Sequence, residues 1–234
     1  MNHYHPDDPG WQPLDDPALE ALLQPEGWHA RFSPDVTLHA RSLPFYPGHR
    51  LVMARCPHWL PANAALYWLL APDQTSYRLN GVSPPIHEAN AQSAQRLTEE
   101  LAPAYLCFFG FFVRGEEGPF YIIDSLDAPL LPLHLRQQDE DRDPQQARER
   151  SALRRIFQGV RTFGTDENGH VRLSALVYYS NAVFVADFLV QASGMVEMQN
   201  DNPLIADLST RIDAPLTLHA SCLPDQAEPP HQVH

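Results

Sequence analysis

Arg114-Gly115-Glu116-Glu117-Gly118 places one guanidinium and two carboxylates in a single tight turn. On a rigid mount such a set serves general acid–base chemistry or anion binding, because carboxylates move protons and arginine offsets negative charge. The plainer reading makes Gly115 the end of a helix and lets Arg114 complement its dipole, while both glutamates diverge into water. His87-Glu88-Ala89-Asn90 is the second candidate. Following Pro84 and Pro85, it reads as extended chain, with His87 pointing one way and Glu88 and Asn90 the other. His87 is the group that titrates near neutrality, so Glu116, Glu117 and His87 are the candidate catalysts. Arg114, Glu88 and Asn90 are the candidate binding residues. The two segments do chemistry together only if folding unites them.

Asp187 interrupts the apolar run Phe184-Val185-Ala186-Asp187-Phe188-Leu189-Val190. A carboxylate on an apolar face needs a partner or a function. With Ser180-Asn181 as a two-residue turn, Tyr179 pairs with Ala182 and Asp187 falls opposite Ser174. Arg172 is then a diagonal neighbour within reach of a long side chain. The expectation is a buried structural acid satisfied by Arg172 or Ser174.

Other arrangements carry less. His3-Tyr4-His5 and His231 with His234 have chelating spacings but lie in segments that read as tails, so no metal site is expected. Cys56-Pro57-His58 sets a thiol beside an imidazole, whereas catalytic Cys–His pairs are normally distant in sequence. Cys56, Cys107 and Cys222 form no C-x-x-C and suggest no disulfide framework. Gly110, Gly115 and Gly118 lack the strand-turn-helix context of a dinucleotide fingerprint, and no HExxH or G-x-S-x-G occurs. All 16 cationic side chains are arginines. The absence of lysine excludes a Walker phosphate loop, a protein kinase, and Schiff-base or pyridoxal-phosphate chemistry. No cofactor is expected.

The formal charge of −13 opposes nucleic-acid and anionic-membrane partners. Arg148, Arg150, Arg154, Arg155 and Arg161 are the local exception, and Asp139, Glu140, Asp141 and Asp143 lie just upstream to offset them. The longest apolar run, Tyr105 to Val113, is about half a bilayer span. The chain opens on His3, His5, Asp7 and Asp8 without a cationic-then-apolar leader, so a reducing cytoplasm is expected.

These residues must be positioned by short elements, since 23 prolines against 11 glycines favour fixed bends over long helices. Residues 1–28 read as an arm in which Asp16 and Pro17 open a short helix. Residues 29–125 read as an α+β subdomain with strands near 37–40, 50–55, 66–70 and 76–79. A helix at about 99–114, apolar all round from Tyr105 to Val113, must be buried on most sides. Residues 126–150 read as a charged, proline-containing linker with a short helix near 145–153. Residues 151–222 form an antiparallel subdomain, and residues 223–234 a frayed tail. In that second half a run at 155–163 leads into the turn Asp166-Glu167-Asn168-Gly169, and runs at 171–179, 182–190 and 195–198 complete a four-stranded meander whose middle strands are apolar on both faces. The fold class is therefore α+β, mainly antiparallel sheet with one buried central helix. The functional expectation is a non-catalytic module binding a small ligand or a protein, with homo-oligomerisation left open. The rival is a hydrolase- or isomerase-like enzyme using carboxylates and a histidine in a cleft.

Overall fold

The computed structural model describes residues 4–15, 35–62, 64–93, 96–136, 143–208 and 210–218. The helix expected from Asp16 and the tail from 223 lie outside these residues. Among the described residues two five-stranded antiparallel sheets, a two-stranded hairpin and four helices make a mixed α+β fold.

The first sheet runs in sequence order: β1 (Gln12–Pro13), β2 (Thr37–Leu43), β3 (Tyr46–Arg55), β4 (Ala65–Leu70) and β5 (Ser76–Leu79). Its inner strand β4, between β3 and β5, is buried at every residue. Tyr67 and Leu69 enter the main core, while Leu66 and Trp68 join Ala54, Cys56, Trp59 and Ala64 in a smaller cluster on the other face. A strand covered on both faces loses the apolar–polar alternation of a half-buried one, and Ala-Leu-Tyr-Trp-Leu-Leu has none.

Two helices follow, α1 (Pro84–Gln92) and α2 (Ala102–Phe112). Phe108, Phe111 and Phe112 of α2 are buried, whereas Phe109 is only partly so. Phe108 lies 5.3 Å from the Phe45 ring, 5.9 Å from Tyr46 and 4.9 Å from Phe112. The chain at residues 120–122 runs so close to α2 that a Cβ at Gly110 would strike the Phe120 carbonyl. The helix starts at Ala102 instead of 99, because the fixed φ of Pro103 suits the first turn. It stops at Phe112, since Val113 is already extended.

The second sheet holds β8 (Tyr121–Ile123), β9 (Arg161–Thr165), β10 (Val171–Tyr179), β11 (Ala182–Val190) and β12 (Val196–Ile205). The last four are the expected meander, and β10 and β11 pair in the expected register, Tyr179 with Ala182 and Ser174 with Asp187. β9 begins later than read, because the helix before it runs to Ile156, and β12 continues past 198 to Ile205. β8 adds to the same edge of β10 as β9, further along the strand. Between β8 and β9 lie α3 (Leu133–Arg136) and α4 (Pro144–Ile156), the latter capped by the Asp143 carboxylate, which accepts the Gln145 N–H at 2.8 Å.

Two boundaries drawn from the sequence do not survive. β8 comes from the first half yet belongs to the second sheet, and one core cluster runs from Tyr4 through Leu131, Leu135 and Leu153 to Leu216. The described part of 126–150 is therefore an integral wall and not a linker. The N-terminal arm is also anchored. Tyr4 is 1% exposed and packs on Phe108, Phe111 and Phe112, and Trp11 is buried as well. Arg41 stacks over both Tyr4 and Trp11 and pairs with the buried Asp8 at 3.4 Å. Proline density and charge suggested a loose segment, but two aromatics with a cation to cover them are enough to hold it down.

After β12 the chain crosses back as a strap without regular structure. Its Leu208, Ile212, Ala214 and Leu216 are buried. Backbone bonds tie Leu208 N and Ile212 N to the β10–β11 turn, and Ala65 N of β4 donates to the Pro215 carbonyl. The strap thus bridges the two sheets.

Candidate functional site

The turn at 114–118 is a bracket, not the mouth of a cleft. β6 (Arg114–Gly115) and β7 (Gly118–Pro119) form a minimal hairpin with Glu116 and Glu117 at its tip. Arg114 Nη2 donates to the Ala214 carbonyl of the strap at 2.6 Å, and its guanidinium sits 5.6 Å from the Phe111 ring. Burial lowers its pKa to about 10, so it stays charged at neutral pH. The Glu117 amide donates to the Tyr179 hydroxyl at 3.1 Å, and the Tyr179 ring stacks on Phe120 at 4.5 Å. Both glutamate side chains are exposed. Arg114 therefore ties the strap down and is not offered to a ligand, and Gly115 follows an extended Val113, not a helix end.

His87, Glu88 and Asn90 lie in α1, contrary to the extended reading. Pro84 and Pro85 fall in the first turn, where a missing N–H costs nothing because that donor has no intrahelical partner. On a helix His87, Asn90 and Ala91 share a face. They line a groove of about 400 Å³ with Arg96, Ala192, Ser193 and Met195. Asn90 is committed to the fold: its Oδ1 accepts the Tyr46 hydroxyl at 2.5 Å, and its Nδ2 donates to Tyr105 at 2.8 Å. Tyr105 in turn donates to the Gly194 carbonyl at 2.8 Å. Glu88 is exposed, and the His87 ring rests 6.0 Å from Phe109. Neither Glu116 nor Glu117 is among the described residues lining this groove. The structure does not gather His87 and the two glutamates at one place.

Asp187 departs from expectation most informatively. Its register is as read, but the residue is exposed, and neither Arg172 nor Ser174 bonds to it among the described residues. Among the described residues the back face of the sheet is only half covered. Leu176, Tyr178 and Val183 are buried, and Tyr178 donates to the Thr210 carbonyl of the strap at 2.9 Å. Beyond the strap's reach that face continues as Ser174, Arg172, Asp187 and Leu189, with Arg172 and Asp187 in the open. An exposed carboxylate keeps its hydration and needs no internal partner.

This open end is shaped into a groove of about 400 Å³, lined by Phe163, Arg172, Asp187, Leu189, Gln199 and Asn200. Two β-bulges flank it. On β9, Phe163 and Gly164 together oppose Arg172, with Gly164 at φ +83°. On β12, Gln199 is the extra residue between the pairs Asp187–Asn200 and Phe188–Met198. Bulges re-aim side chains and recur beside functional sites. Arg172 Nη2 turns towards β9 and donates to the Phe163 carbonyl at 3.3 Å. Phe163 remains 47% exposed. Gly164 within a strand pattern was the available sequence signal for one bulge. Nothing in Met198-Gln199-Asn200 announced the other.

Elsewhere, Cys56 is buried while His58 is exposed and 3.2 Å from Asp35, so they form no working pair. Burial holds the Cys107 thiol well above its usual pKa, which makes it inert. His134 and Glu149 meet at 3.1 Å between α3 and α4, with Gln145 donating to the other Glu149 oxygen. Among the described residues no group of three or more His, Cys, Asp or Glu side chains is placed to hold a metal ion, and no helix is long and apolar enough to cross a membrane. No family model, curated protein or solved structure matches the chain.

Proposed function

We propose that this protein is a non-catalytic small-ligand-binding module whose ligand seats on the open face of the second sheet, above Arg172 and Asp187. One observation carries the reading. Two opposite charges on adjacent strands stand in a groove bordered by two bulges, yet do not pair with each other. Diagonal neighbours of opposite sign lie within reach of each other, so their separation leaves both groups available to a ligand. A rigid sheet floor with a few polar groups among apolar ones is the usual make-up of a ligand site.

The enzyme reading would need Arg114, Glu116, Glu117 and His87 around one cleft. Arg114 is engaged with the strap and His87 lines a different groove from the glutamates, so the binding reading is favoured. The net charge of −13 supports a ligand other than nucleic acid or anionic membrane. The buried thiols of Cys56 and Cys107 fit a reducing, cytoplasmic setting.

Native mass spectrometry of untreated protein, combined with NMR titration against a metabolite panel, tests the proposal. Binding should shift amide resonances of Arg172, Asp187 and Asn200, and Leu189→Arg, which fills the groove, should abolish those shifts. Shifts confined to α1 and residues 191–195 would move the site to the His87 groove, and no shift anywhere would end the proposal.

A further inference from the structure

We infer that the ligand of this groove is a small zwitterion, an ammonium and a carboxylate on one short scaffold, with an α-amino acid bearing an apolar side chain as its simplest member. The inference rests on the reading that the groove is the binding site. It adds the ligand's chemical class.

Charge geometry supplies the first argument. Asp187 is paired across the sheet with Ser174 on one side and Asn200 on the other, and Arg172 lies one diagonal away on the same face. Diagonal positions on a sheet are about 7–8 Å apart at the backbone, so an arginine can close that gap. Arg172 instead bends to the Phe163 carbonyl, and the two charges remain apart. A ligand with one charge answers one of them. A zwitterion answers both, its carboxylate taking paired N–H donors from Arg172 and its ammonium donating to Asp187. The Asn200 carboxamide, directly opposite Asp187, offers an acceptor and a donor to the same ligand.

The remaining walls select what the zwitterion carries. Phe163 and Leu189 border the groove with apolar surface, and Phe163 is 47% exposed with the Arg161 guanidinium 5.0 Å from its ring. The volume of about 400 Å³ suits a single amino acid or a dipeptide. It lies near the small end of the roughly 300–1,000 Å³ typical of ligand pockets. Long-range electrostatics agree. A chain of formal charge −13 repels anions as they approach, and a ligand of zero net charge escapes that repulsion.

The test is an NMR or calorimetric titration of the full chain with L-phenylalanine, L-leucine, N-acetyl-phenylalanine, phenylalanine methyl ester and glucose. Phenylalanine and leucine should bind saturably and shift Arg172, Asp187 and Asn200. Losing either charge, by acetylation or esterification, should weaken binding about tenfold or more, as the loss of one charged hydrogen bond does. Asp187→Asn should weaken phenylalanine by a similar factor and leave N-acetyl-phenylalanine unchanged. Because the fold makes no use of the Asp187 carboxylate, this variant should melt with the wild type. Glucose or N-acetyl-phenylalanine binding at these residues as tightly as phenylalanine would overturn the zwitterion while keeping the groove as a site. Equal phenylalanine affinity in Asp187→Asn would overturn it too. No shift at these residues with any probe would overturn both the inference and the reading beneath it.

Discussion

The two sheets share a hairpin design and put it to different use. Ala71–Thr75 closes β4 to β5 and Gln191–Met195 closes β11 to β12, each with one bond across the ends and one inside the turn. In both, the fourth residue is left-handed: Gln74 at φ 71° and Gly194 at φ 85°. Gln74 points into solvent, so a side chain is tolerated there. Gly194 lies beneath Asn90 and Tyr105, which occupy the space a Cβ would need. The larger contrast concerns coverage. The first sheet has clusters on both faces and β4 has no exposed residue. The second sheet is roofed by the strap over one half of its back face and open over the other. The closed sheet supplies rigidity, and the open one supplies a surface on which polar side chains are available.

The most disruptive test of this division is the element between the sheets. Phe108→Ala should cost about 3–5 kcal/mol, as deletion of a buried aromatic does, and thermal or denaturant unfolding should show it. Phe109→Ala, at a half-buried position, should cost only about 1–2 kcal/mol. Equal losses would mean that α2 is not seated as described.

The hairpins come next. Gly194→Ala combines a left-handed backbone with a clash against Asn90 and Tyr105, and should cost about 3 kcal/mol or more. Gln74→Gly, at the equivalent place in the first sheet, should change stability by less than about 1 kcal/mol. Similar effects at both would erase the distinction between a solvent-facing turn and a packed one.

Alkaline pH probes the shared core. Burial raises the pKa of Tyr4, Tyr46, Tyr67, Tyr105, Tyr121 and Tyr178 above the ordinary tyrosine value. Above pH 10 the unfolded chain releases phenolic protons that the folded chain keeps, so stability must fall as pH rises. Each such tyrosine contributes about 1.4 kcal/mol per pH unit in that range. Arg114 acts in the opposite sense: lowered to about 10 by burial, it sheds a proton in the folded state first, and its contribution to stability rises with pH from that value up to its higher ordinary pKa. One arginine is outweighed by the tyrosines. Denaturant titrations from pH 9 to 11 should therefore show a steep loss, which Tyr105→Phe makes shallower at the expense of stability at neutral pH. A flat profile would mean that these phenols reach water.

The smallest expected effect is at the open face. Asp187→Ala should alter stability by no more than about 0.5 kcal/mol, as surface substitutions away from packed features do. A loss of about 1–3 kcal/mol, the value for a broken buried hydrogen bond, would restore the buried and paired acid that the sequence suggested.

Much of this was readable from local pattern. Short apolar or alternating runs gave β2 to β5, and Val171–Tyr179 and Ala182–Val190 matched their strands end to end, because a two-residue turn leaves the register no freedom. The apolar stretch at 105–112 had to be interior wherever it went. The prolines misled most plainly at α1, where they begin a helix rather than forbid it. Among the site residues, the register of Asp187 was legible but its exposure was not. Burial of a strand residue depends on what lies over the sheet, and what lies over this one is a strap arriving from the far end of the chain.

The sequence alone therefore determined the β10–β11 hairpin, most of β2 to β5 and which of their residues face the same side, since those follow from periodicity and turn chemistry within a few residues. Tertiary structure alone decided that β8 joins the second sheet, that Tyr4 and Trp11 anchor the N-terminal segment, and that the strap stops short of Arg172 and Asp187. Each of these depends on contacts between residues far apart in the chain, whose loop-closure cost and packing gain no local pattern encodes.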